Sequence, residues 1–159
     1  MIDFRRLLAM LVDAKVEFVI VGGVAATLHG SARLTSDLDI VYGRANENIR
    51  RMVTALAPLH PYLRGAPAGL PFHLDAETLR AGLNFTLTTD AGPLDLIGEI
   101  AGGFNFEVLR KRSTVVELFG KRCRVISLDA LIESKMAAGR PKDLEVIAEL
   151  EAIRDEQSG

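Results

Sequence analysis

Between Phe18 and Tyr42 an apolar run ends in Gly22-Gly23, small residues follow as far as His29, and a polar turn leads into Asp37-Leu38-Asp39 at the head of a second apolar run. The pattern calls for a strand, a tight turn, a short helix and a second strand, in that order. Residues two apart in a strand share a face, so Asp37 and Asp39 present their carboxylates together. Like charges held that close are costly unless a cation lies between them. Only hard oxygen ligands are offered, so the expected cation is divalent, magnesium first. Glycines ahead of a helix let backbone N–H groups close on a phosphate. Phosphate cradle and metal carboxylates together read as a nucleotide site.

Elsewhere the punctuation is ordinary. Phe4, Leu7, Leu8 and Leu11 recur at helical spacing and predict a first helix from about Asp3 to Ala14. Val16 to Val21 reads as a buried strand, Val24 to His29 as a short helix, and Asp37 to Tyr42 as the second strand. Ile49, Met52, Val53, Leu56 and Ala57 mark the next helical face, which Pro58 ends. Four of the six prolines fall between Pro58 and Pro71, with Gly65 and Gly69, and predict a loop bordering the site. Leu83 to Thr89 alternates as a half-buried strand, Asp90-Ala91-Gly92 turns it, and Pro93 to Ile97 pairs back. Gly98 to Asn105 reads as a mobile edge near Asp95, and Val115–Phe119 with Cys123–Ser127 as a hairpin around Gly120-Lys121. Asp129 starts a helix that Gly139 closes. Pro141 opens the last helix, with Val146, Leu150 and Ile153 inward and Glu145, Glu149 and Glu156 toward water.

The fold class expected is α/β (α+β), one mixed sheet flanked by helices. A single domain over residues 1–159 is expected, with a core of about 1–127 and a C-terminal helical pair at about 128–156. A hydrophobic fraction of 48% with 25% charged residues suits a chain that buries a core. A net charge of −2 excludes a generally basic nucleic-acid-coating protein. The single Cys123 forms no internal disulfide, which points to a reducing cytoplasm. Met1-Ile2-Asp3-Phe4 does not open like a signal peptide, and Phe18 to Leu28 is too short and glycine-broken to span a bilayer, so no membrane partner is expected.

Gly22-Gly23, the short helix and Ser36-Asp37-Leu38-Asp39-Ile40 resemble the signature of the nucleotidyltransferase superfamily, with its polymerase β-like fold. That family carries a third carboxylate on a later strand, a place matched by Asp95 in Gly92-Pro93-Leu94-Asp95-Leu96-Ile97. Leu131 to Lys135 and Gly139 to Asp143 resemble the end of small stand-alone bacterial members, among them the abortive-infection type IV toxins. The similarity covers nearly the whole chain. It implies two magnesium ions ~3.5–4 Å apart. Asp37 and Asp39 would hold the one gripping the triphosphate, Asp39 would bridge, and Asp95 would hold the second and help deprotonate the acceptor. Gly22 and Gly23 would cradle the β- and γ-phosphates, and Arg33 would either reach a phosphate or lie on the surface. Val24 stands where relatives often carry serine, which leaves Ser31, Thr35 or Ser36 to supply a hydroxyl. Lys135 and Asp143 match nucleotide-pocket positions of the toxin relatives; the plainer alternative makes them helix-end residues, beside Arg140 and Lys142.

The implied activity is magnesium-dependent transfer of a nucleoside monophosphate from a triphosphate, ATP included, to a hydroxyl of RNA (tRNA), protein or a small molecule. A toxin–antitoxin role would bring an antitoxin partner, and a homodimer would complete the pocket. The alternative is a non-catalytic module that binds nucleotide or a partner. His29 is expected to end its helix against carbonyls, and His60 and His73 to have no ligand-like partner. Arg110, Lys111, Arg112, Lys121, Arg122 and Arg124 place six positive charges within fifteen residues, opposed there by Glu117 alone. They fit either RNA phosphates or the solvated edge of a hairpin.

Overall fold

All four side chains of β1 (Phe18–Val21) are buried, as in a strand covered on both faces. In the computed structural model, which describes residues 2–158, β1 lies inside a mixed sheet. On one side it pairs antiparallel with β2 (Leu38–Tyr42), and β2 pairs parallel with β5 (Leu94–Ile97). Next come β4 (Phe85–Thr88) and the two-residue β3 (Tyr62–Leu63), each antiparallel to its neighbour. On the other side β9 (Lys121–Ile126) runs parallel to β1 and is paired with β8 (Ser113–Leu118). The seven strands thus lie in the order β3-β4-β5-β2-β1-β9-β8.

Helices cover the sheet. Asp3 caps α1 (Phe4–Asp13), accepting from the Arg6 backbone N–H at 3.1 Å, and Leu7, Leu8 and Leu11 face the core. α2 (Gly22–Leu28) follows β1 directly, and α3 (Asn46–Leu56) buries Ile49, Met52 and Leu56 before a 3₁₀ turn at Ala57–Leu59. Ser127 caps α6 (Leu128–Ala138), which ends at Gly139 with φ +63, and α7 (Pro141–Ser158) folds back on it. No described helix is long and apolar enough to cross a membrane.

The expected strands and helices form, with corrections. The helix expected at Val24 begins at Gly22, so the glycine pair is its first turn. The segment expected to be loop holds β3: Tyr62 and Leu63 pair with Thr88 and Leu87, at an edge where neighbouring prolines cost no ladder bond. Gly98–Asn105, read as an irregular glycine-rich edge, holds a small hairpin of β6 (Glu99–Ile100) and β7 (Phe104–Asn105), turned by Gly102 and Gly103 at φ +99 and +77. Two short helices, α4 (Ala76–Ala81) and α5 (Phe106–Lys111), were hidden because six residues carry too little periodicity; Asp75 and Asn105 cap them. The β8–β9 hairpin is longer than expected and turns on Phe119 and Gly120, both at positive φ. On α7, Asp143, Ile147 and Leu150 are buried, Val146 and Ile153 pack partly, and Glu149 is bonded to the Ser31 loop rather than turned to water.

Candidate active site

The alternation of β2 fixes the geometry. Leu38 is fully buried, so Asp37 and Asp39 on either side of it lie on its opposite face. Pairing then sets Asp39 opposite Val21 on β1 and in register with Asp95 on β5. One carboxylate oxygen each from Asp37, Asp39 and Asp95 lies within 4.8 Å of the others. Burial, the Asp37 charge, a hydrogen bond with Asp95 and the Asp95 charge push the Asp39 carboxyl up to about 8, against the pull of Arg64. Among the described residues Asp39 Oδ1 is buried without a hydrogen-bond partner. A donor set made only of carboxylate oxygens, one of them unsatisfied, suits a hard divalent cation.

Gly22 backs onto this cluster. It sits at φ +67, and a Cβ there would collide with the Asp39 carboxylate. At Gly23 a Cβ would meet Thr35 Oγ1 at 2.6 Å, and that hydroxyl donates to the Asp37 carbonyl at 3.2 Å. Gly22 leaves room for the Asp39 carboxylate and Gly23 for Thr35.

Two cavities flank the acids. One of about 410 Å³ is bounded by Gly22, Asp39, Lys135 and Arg140, with Ile97 and Leu131 as apolar wall. The other, about 240 Å³, is bounded by Gly22, Gly23, Arg33, Ser36, Asp37 and Lys135. The expected nucleotide-side residues Gly22, Gly23, Arg33, Ser36 and Lys135 therefore converge with the carboxylates. Arg33 is also tied to Glu145 and Glu149, each at 3.5 Å. Glu149 in turn accepts from Ser31 Oγ at 2.7 Å and the Ala32 N–H at 3.1 Å, which clips the loop ahead of Asp37 to α7. These hydrogen bonds, Ser31 first, hold the Glu149 carboxyl below its usual range. Asp143 is placed differently. Its buried carboxylate accepts from Arg140 Nε at 2.9 Å and lies 3.7 Å from Lys135 Nζ, so it borders the site through Lys135. The Arg140 hydrogen bond keeps that carboxyl below the ordinary range.

Arg64 was not among the expected site residues. Its backbone N–H donates to Thr86 O at 3.0 Å, continuing the β3–β4 ladder past Leu63. Its Nη2 donates to Leu87 O and to Asp95 Oδ1, both at 2.7 Å, and Nη1 lies 3.9 Å from Asp37 Oδ2. The one sequence signal was the Tyr62-Leu63-Arg64 alternation between Pro61 and Gly65. The histidines divide. His29 ends α2 with Nε2 2.7 Å from Ile126 O, as expected, whereas His60 does have a partner, with Nδ1 2.6 Å from Asp90 Oδ2 at the surface.

The architecture matches solved structures. At 20% identity and a TM-score of 0.59, the chain superposes on TM1012 of Thermotoga maritima, covering 94% of each chain. It matches the lincosamide adenylyltransferase LnuA, solved with lincomycin, at 16% identity and a TM-score of 0.61, over 96% of this chain and 98% of that one. It also matches ANT(2")-Ia, solved with adenylyl-2"-tobramycin, at 16% identity and a TM-score of 0.57, over 97% and 86%. At these identities the likeness establishes the fold. None of the curated proteins matches the sequence. The sequence profile of one family, described as "Nucleotidyltransferase of unknown function (DUF6036)", matches residues 4–156, and the chain belongs to that nucleotidyltransferase family.

Proposed function

We propose that this nucleotidyltransferase carries a nucleoside monophosphate from a nucleoside triphosphate to an acceptor hydroxyl, with magnesium, two ions in all, held by Asp37, Asp39 and Asp95. The observation that carries the reading is the convergence of three carboxylates against a glycine turn that leaves no room for a side chain. When bound, the cations supply the positive charge that offsets the polyphosphate. Gly22 and Gly23 offer backbone N–H groups to the phosphates, and Lys135, with Arg33 and Ser36 on the rim, faces the same space. Asp143 holds Lys135 in place. Arg64 fixes Asp95 through Oδ1, leaving its second oxygen for the acceptor side, where Asp95 accepts the hydroxyl proton.

Two acceptor classes follow from different observations. The fold shared with LnuA and ANT(2")-Ia favours a small hydroxyl-bearing molecule. The toxin-like C-terminal sequence favours tRNA, with an antitoxin as partner and the cytoplasm as setting. The test incubates the protein with each labelled triphosphate and magnesium, adding total RNA in one arm and a lincosamide or aminoglycoside in the other. Label on an acceptor identifies its class. Tight magnesium-dependent binding with no transfer to any acceptor gives the non-catalytic binding module instead.

A further inference from the structure

At the end of β1 away from the carboxylates lies a cavity of about 320 Å³. Lys15, Arg110, Arg122 and Arg124 line it, opposed by the single acid Glu17. Phe18 opens β1 there, while Asp39 pairs with Val21 at the far end, so about 10 Å of strand separates cavity and carboxylates. The intervening strand is buried along its whole length, so the cavity is separate from the carboxylate site.

The four cations come from three elements: the turn after α1, α5 and β9. Among the described residues, Lys15, Arg122 and Arg124 enter no ion pair, although Glu117 faces Arg122 across the hairpin. Their neighbours in sequence behave otherwise, Arg112 pairing with Glu133 and Lys121 with Asp13. Arg110 is paired too, with Glu107 at 3.5 Å, so within the cluster that looked uniform in sequence Arg122 and Arg124 are the cations that reach the cavity without an ion pair among the described residues. Lys15 stands at the cavity rim just past the end of α1, with its backbone at φ +60. Arg124 is steadied by Arg110 O and Ser113 Oγ, both at 3.4 Å from Nη1.

We propose that this cavity is an anion site for a ligand carrying two or more phosphate groups. Arg122 and Arg124 flank the buried Cys123 on one strand, so their side chains share a face at a spacing of roughly 6.8 Å. Two guanidinium forks at that spacing suit two phosphates better than one. The aromatic walls, Phe18 and Phe106, are each 5% exposed and offer no face for a base, so recognition rests on charge. The phosphates come either from the backbone of an RNA strand or from a free polyphosphate.

The test measures binding of tripolyphosphate and of a single-stranded RNA oligonucleotide in chelator, with no nucleotide present, so its outcome is independent of the transfer reading. One of the two probes binds the wild type, and which one identifies the source. Replacing both arginines (R122Q with R124Q) weakens that binding at least ~10-fold at low salt. With RNA it also lowers the salt slope by about 1.4, two charges at roughly 0.7 each. E17Q tightens binding, and R112Q, whose arginine lies outside the cavity, leaves it within about twofold. Failure of both probes to bind, or binding that the double variant leaves unchanged, overturns the site. Should the double variant not fold, E17Q decides alone: no tightening overturns the proposal.

Discussion

The two ends of β1 both concentrate like charge, under opposite physical regimes. At the Val21 end three carboxylates are packed against strands and a glycine turn, and Asp39 is pushed toward its neutral form. At the Phe18 end Lys15 and Arg122 stand exposed in solvent, with Arg124 half-buried beside them. Crowding of half-buried carboxylates carries a free-energy cost that the fold maintains, whereas exposed cations repel only weakly through water. A half-buried acid cluster with an unpartnered carboxylate oxygen therefore points to a cation partner, and an exposed basic cluster points to an anion only when its geometry narrows the ligand.

The largest effect expected at the acid end comes from replacing Asp37 and Asp39 together with alanine. Magnesium-dependent triphosphate binding should vanish in calorimetry while the metal-free fold gains stability; unchanged binding in chelator and in magnesium would break the contrast. Asp95→Asn should lower transfer by ~10²–10⁴-fold with a much smaller change in triphosphate affinity. Transfer at the wild-type rate would leave Asp95 only its structural pairing with Arg64.

Arg64→Gln should cost up to ~10²-fold in transfer, because Asp95 loses its fixed orientation. A second readout is independent of turnover. Arg64 is the one charge that lowers the Asp39 carboxyl, so its removal should raise the Asp39 midpoint further in a carbon-13 titration of the metal-free protein. The smallest effect is on stability against pH. The fold raises Asp39 from 3.8 to about 8, so the folded state binds the proton more tightly. The associated stability is fully present below 3.8 and is lost as pH climbs through about 8. Thermal melts of the metal-free protein should fall across that window, and Asp39→Asn should flatten the trend.

Much of the acid end was legible in the sequence because it is local. Gly22-Gly23 and Asp37-x-Asp39 lie within one strand–helix–strand unit, and the Leu94–Ile97 run placed Asp95 on a strand whose neighbour was easily foreseen. The parts that stayed hidden are held through space. Arg64 reaches Asp95 from an edge strand of two residues among prolines, too short to announce itself by alternation. The Glu149 clip joins residues 118 positions apart, and a periodic α7 reading put that side chain in water. Asp143 read in sequence either as a nucleotide-pocket acid or as a first-turn acid, and neither reading foresaw that the fold of α7 onto α6 buries it against Arg140. The division of the basic cluster was equally invisible, since its partners Asp13 and Glu133 lie on distant helices.

The absence of room at Gly22 has a genetic reading. Because a Cβ there would occupy the space of the Asp39 carboxylate, position 22 cannot take a side chain while residue 39 keeps its own. In a saturation library, alanine at position 22 should score like the loss of Asp39, although the acid itself is intact. Shortening residue 39 in the same molecule should relieve the clash, leaving only the cost of alanine at φ +67, and so recover part of the folding without restoring the site. Selection for a well-folded protein and selection for a working one would then part company at this single pair.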